Sequence, residues 1–171
     1  VCKSNFSQYA VGFHSFKSDK ISIEITRMTS FKELSLFTID YVVKAVNHKV
    51  DVSVSSMHKA VTKNYSDPSD PRLAAESPQF ISLCNSRVEN GISTALTKTS
   101  ISNIKCASAV GHYISDSNAR VWVTKKQEDM VCDVVTSLAK DETLRIVKYC
   151  VFTDSLRCED PQKRAREILD E

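Results

Sequence analysis

Hydrophobic and polar positions along this chain change period several times, and each change predicts an element. Ala10-Val11-Gly12-Phe13-His14 reads as an extended segment. Ile21, Ile23 and Ile25 then alternate with Ser22, Glu24 and Thr26, the period of a half-buried strand. Ser30-Phe31-Lys32-Glu33 has the form of a capping box, in which the serine caps a free N–H and the glutamate reaches back. It predicts a helix running to about Asn47, apolar on more than one face through Leu34, Phe37, Ile39, Tyr41, Val43, Ala45 and Val46. Val50, Val52 and Val54 alternate with Asp51, Ser53 and Ser55, which predicts another strand. Asp67-Pro68 and Asp70-Pro71 interrupt the pattern, because proline removes a donor and biases its predecessor away from helix.

Beyond the prolines, Ser77-Pro78 reads as N-cap and first residue of a helix, with Ile81, Cys84, Val88, Ile92 and Ala95 on one face. Strands are expected over residues 104–114 and 119–124. A helix follows, with Val131, Val134, Val135 and Leu138 on one face. Residues 144–153 form a strand apolar on both sides, and a terminal helix begins at Asp160-Pro161 with Ile168 and Leu169 as its apolar contacts.

The two halves resemble each other. Ala10-Val11-Gly12-Phe13-His14 parallels Ala109-Val110-Gly111-His112, and the same offset relates Thr26 to Thr124 and Val54 to Phe152. The expected fold class is therefore α+β: two similar small modules, strand-strand-helix-strand and helix-strand-strand-helix-strand, with helices packed on one face of each sheet. The expected boundaries are a first module over residues 1–66, a proline-containing linker over 67–77, and a second module over 78–171 with the C-terminal helix.

Composition narrows the classes. With 171 residues, 42% hydrophobic and 26% charged, the chain can build a core and is not disordered. Three glycines leave no phosphate-cradling loop. The most apolar stretch, residues 36–46, contains Asp40 and Lys44 and is far short of the ~20 residues a membrane helix needs. A net charge of +2 is weak for a nucleic-acid binder, so no nucleic-acid partner is expected. The start at Val1-Cys2 reads as a processed or trimmed end, with Cys2 either a lipid-anchor cysteine or a frayed thiol.

Candidate chemistry is sparse. The six cysteines show no C-x-x-C spacing, and no metal or cofactor is expected. Cys84, Cys106, Cys132 and Cys150 are candidate structural cysteines. Cys132 aligns with Leu34 and Cys150 with Val52, ordinary core aliphatics in the other copy, so the pair reads as buried thiols or as a bridge. His14 and His112 fall at equivalent repeat positions, as paired functional groups or as a repeated structural hydrogen bond. Trp122 aligns with the outward Glu24, and an outward tryptophan is a common contact residue. Arg120, Lys125 and Lys126 flank it, and the four make up the candidate binding site. No catalytic residue is assigned.

Helix-strand-strand-helix-strand in tandem resembles the BON domain pair of bacterial envelope lipoproteins. Ile92 to Leu96 resembles the first helix, residues 104–107 and 120–123 the hairpin, and residues 130–139 and 146–152 the closing helix and strand. The resemblance implies a non-catalytic binding or scaffold module at the periplasmic cell envelope, recognising a protein partner or a phospholipid surface. Two other readings stand beside it: an intracellular viral or effector protein that assembles as a homo-oligomer, and an enzyme with an unrecognised His/Cys site.

Overall fold

The computed structural model describes residues 9–62, Ser69 and residues 79–171. Ten strands and one helix follow in order: β1 (Tyr9–Lys17), β2 (Ile21–Ser30), β3 (Leu36–Ala45), β4 (Val50–His58), β5 (Ile81–Glu89), β6 (Ile92–Thr99), β7 (Lys105–Ile114), β8 (Arg120–Lys126), β9 (Asp129–Leu138), β10 (Thr143–Asp154) and α1 (Pro161–Asp170). They form two antiparallel sheets, one in the order β1-β2-β3-β10-β7-β6-β5 and one in the order β4-β9-β8.

The sheets pack face to face. Val43, Leu144 and Ile146 from the large sheet meet Cys132, Val134 and Leu138 from the small one, with Val50, Val52, Val54 and Val123 around them. Alternation sends the other side chains of β7 and β10 to the opposite face, where Ala107, Ala109 and Val151 receive Ala165 and Ile168 of α1. The helix is set by its ends. The Asp160 carboxylate accepts the Lys163 N–H at 3.0 Å, Pro161 opens the first turn, and Thr153 Oγ1 donates to the Pro161 carbonyl at 2.6 Å.

This is a β-sandwich with one short helix, not the α+β pair of modules expected. Three predicted helices are strands. Residues 36–45 form β3, which lies between β2 and β10. Its two faces both carry apolar side chains, because Val43 packs between the sheets while Leu36 packs toward α1. A strand covered on both sides imitates a helix apolar all round. The capping bonds of Ser30 exist, with Glu33 N–H donating to Ser30 Oγ at 2.9 Å, but they close a turn that leads into β3. The stretch from Ile81 to Ala95 is the β5–β6 hairpin, turned at Asn90-Gly91 with φ of 50° and 76°. Val131 to Leu138 lies in β9, the middle strand of the small sheet.

The internal repeat does not survive either. β1 pairs with β2, whereas β7 and β8 lie in different sheets. Leu34, aligned with the buried Cys132, is 82% exposed. Strands from both halves share both sheets, since β3 pairs with β10 and β4 with β9. The expected linker, apart from Ser69, lies outside the described residues, as do Cys2 and the Ser77-Pro78 cap.

Candidate functional site: a buried histidine cluster and the face of the small sheet

Alternation along four strands brings polar side chains into the space between the sheets. His58 ends β4, and its ring nitrogens each meet a hydroxyl: Nδ1 lies 2.8 Å from Ser93 Oγ on β6, and Nε2 lies 2.8 Å from Ser108 Oγ on β7. His112 on β7 places Nε2 2.8 Å from Ser56 Oγ on β4. Its Nδ1 is buried without a hydrogen-bond partner among the described residues. Lys148 on β10 donates from Nζ to the Met57 carbonyl at 2.8 Å.

These groups govern one another's charge. Burial pushes the His58 imidazole down to about 4, helped by Lys148 and opposed by Asp129. Burial likewise takes His112 down to about 4, with Lys148 and His58 adding to it. Both rings are therefore neutral near pH 7 and act as hydrogen-bonding pieces of the interior. A neutral imidazole keeps one ring N–H and one bare nitrogen, which in His58 both meet serine hydroxyls.

His14, aligned with His112 by sequence, is exposed on β1 instead. Cys84, Cys106, Cys132 and Cys150 are all unbridged. The first two are exposed and the last two buried. Burial raises the Cys132 and Cys150 thiols above their ordinary values, so both stay protonated. Among the described residues no group of three or more His, Cys, Asp or Glu side chains is placed to hold a metal ion.

The expected contact residues lie on β8. Trp122 is 44% exposed and stands opposite Asp133 of β9, and Arg120 stands opposite Val135. Lys126 stands opposite Asp129. Lys125 points the other way, and its Nζ donates to the Ser86 carbonyl at 2.8 Å. Trp122, Arg120 and Lys126 thus share the outer face of the small sheet, while Lys125 leaves it.

Two open recesses flank this sheet. One, of about 460 Å³, follows the free edge of β4 and is lined by Ile39, Tyr41, Ser56, Met57, Ile146 and Lys148 among others. The other, of about 590 Å³, is lined by Asp51, Asn118, Arg120, Val135, Thr136 and Ser137. Beside it, Asp116 accepts the Thr136 hydroxyl at 2.6 Å, a bond that holds its carboxyl below the usual carboxylate range. Sequence reasoning did not single out His58, Lys148, Asp51 or Asn118. They come from separate strands and loops, so no local spacing marks them.

Comparison with known proteins decides the family. The family described as glycosyl hydrolase family 65, N-terminal domain, matches residues 9–171. The chain belongs to this family. The alpha,alpha-trehalose phosphorylase of Geobacillus stearothermophilus is 26% identical over 152 residues, covering 89% of this chain and 20% of that protein. A solved structure described as a "putative kojibiose phosphorylase from human microbiome" superposes with a TM-score of 0.69 at 11% identity. That match covers 91% of this chain and 19% of the other. At that identity the structural likeness shows the fold. The family 65 chain spans about a fifth of the length of these two relatives.

These matches overturn the BON resemblance and the lipoprotein, periplasm and envelope-module readings drawn from it. The chain is a component of a carbohydrate-active enzyme family. The error has one root: the BON reading needs helices over residues 92–96 and 130–139, and both stretches are strands. Among the described residues no helix is long and apolar enough to cross a membrane.

Proposed function

We propose that this chain serves a disaccharide phosphorylase, an enzyme that cleaves a glucosyl disaccharide with inorganic phosphate. In that reaction a phosphate oxygen bonds to the anomeric carbon as the glycosidic C–O bond breaks, and the departing sugar oxygen takes up a proton. The 152-residue alignment with a trehalose phosphorylase carries the reading. The family match over residues 9–171 supports it.

The role that fits this chain within such an enzyme is the rigid β-sandwich that presents surfaces to sugar and to the rest of the machinery. His58 and His112 are engaged with serine hydroxyls inside the sandwich and Asp116 with the Thr136 hydroxyl, which supports a structural role for these groups. The test is to incubate the natural polypeptide carrying this chain with trehalose or kojibiose, with and without inorganic phosphate. Phosphate-dependent release of a sugar 1-phosphate is expected. Free glucose as the sole product would make the enzyme a hydrolase, and no cleavage of either sugar would overturn the proposal.

A further inference from the structure

The outer face of β4-β9-β8 carries an arrangement that the packing of the sandwich does not use. The strand register places Ser55, Asp133 and Trp122 in one row across the sheet, and Ser53, Val135 and Arg120 in the next. Ser55 Oγ donates to Asp133 Oδ1 at 2.6 Å, which fixes that carboxylate beside the tryptophan. Ser137 donates its hydroxyl to Asp51 at the recess that Arg120 and Asn118 also line. Among the described residues, the Arg120 guanidinium makes no ion pair and no hydrogen bond. A flat ring, an unspent guanidinium and fixed carboxylate acceptors thus share one exposed face.

We infer that this face binds a neutral α-glucosyl oligosaccharide, with one pyranose ring laid on Trp122 and its neighbour in the recess at Arg120, Asn118 and Asp51. A sugar ring offers an apolar C–H face to an aromatic ring and hydroxyls around its rim. Those hydroxyls both donate and accept, so they satisfy Asp51 and Asp133 as well as Arg120. An anion such as phosphate fits less well. It brings acceptors to a surface already holding the carboxylates of Asp51 and Asp133, and like charges repel. A recess of about 590 Å³ lies within the ~300–1,000 Å³ range of small-ligand sites. The inference rests on the carbohydrate reading above for the class of sugar, and on the face itself for its place.

Trp122 is the only tryptophan of these 171 residues, so the emission change that Trp122→Phe removes isolates the signal of this face. The protein is titrated with maltoheptaose while tryptophan emission and calorimetric heat are followed, and inorganic phosphate serves as the comparison. A saturable change with maltoheptaose and none with phosphate is expected. Arg120→Ala is expected to weaken binding about tenfold, equivalent to 1.4 kcal/mol. Trp122→Ala is expected to abolish the heat, and Trp122→Phe, which keeps a ring, to retain part of it. Unchanged unfolding midpoints in these variants show that the fold is intact. Absence of a saturable signal, binding that persists in Trp122→Ala, or an emission change that follows protein concentration instead of sugar would each overturn the inference. Phosphorolysis without sugar binding at Trp122 would remove this site alone. Sugar binding at Trp122 without phosphorolysis would remove the proposed activity alone.

Discussion

His112 and Lys148 stand directly opposite one another on β7 and β10, on the face of the large sheet that meets the small one. Burial keeps the His112 ring neutral, the Lys148 cation adds to the effect, and His58 nearby is held the same way. Both rings have folded values of about 4, lowered from 6.5. Between those values the unfolded chain binds protons that the folded chain does not, so stability is full above pH 6.5 and falls as pH drops toward 4. The expected loss is on the order of a few kcal/mol for the pair. Urea midpoints measured across this range should fall with pH, and His112→Gln should flatten the slope. A wild-type midpoint that is level across the window would refute this account.

Thiol labelling of the native protein should separate two classes. Cys84 and Cys106 are exposed and should react, with Cys106 slower because burial and then Asp154 raise its thiol. Cys132 and Cys150 should react only after denaturation. Rapid labelling of Cys132 in the folded protein would mean that the sheets part more readily than their packing implies.

The helix should depend on its cap. Asp160→Ala removes the acceptor for the Lys163 N–H and is expected to cost about 1 kcal/mol, with Asp160→Asn recovering most of it. Thermal unfolding of the three proteins checks this. An unchanged midpoint in Asp160→Ala would show that the burial of Ala165 and Ile168 holds α1 without the cap.

The β8–β9 hairpin carries a correctable strain. Gln127 sits at φ 58°, a left-handed conformation that costs a non-glycine residue roughly 1 kcal/mol. Gln127→Gly should therefore raise stability by at most about 0.5 kcal/mol, once the greater freedom of glycine in the unfolded chain is subtracted. Gly91→Ala at the β5–β6 turn should do the reverse. Its added Cβ meets nothing within 4 Å, so the penalty comes from its φ of 76° and not from crowding.

Where side chains alternated, the sequence was legible. The Ile21, Ile23, Ile25 and Val50, Val52, Val54 series predicted β2 and β4, and Asp160-Pro161 predicted α1. The misread β3 and β9 carry apolar side chains at consecutive positions instead of alternate ones. In β9, Met130, Val131, Cys132 and Val134 are all buried, and such a run has no period from which to tell strand from helix. The Asn90-Gly91 dipeptide was the overlooked signal, because Asn-Gly between apolar residues favours a two-residue hairpin turn. Trp122 was legible as an outward residue. The histidine cluster was not, because Ser56, Ser93 and Ser108 become its partners only when β4, β6 and β7 meet.

The pairing of β3 with β10 and of β4 with β9 also sets a timetable for synthesis. As the chain leaves the ribosome, β3 has only β2 beside it and β4 has no neighbour until roughly the last quarter of the chain emerges. Joining partners so distant in sequence means closing long loops before the contacts repay the cost, which favours slow assembly. Until then the nascent chain carries unsatisfied strand edges able to pair with other chains, which is where a chaperone would act.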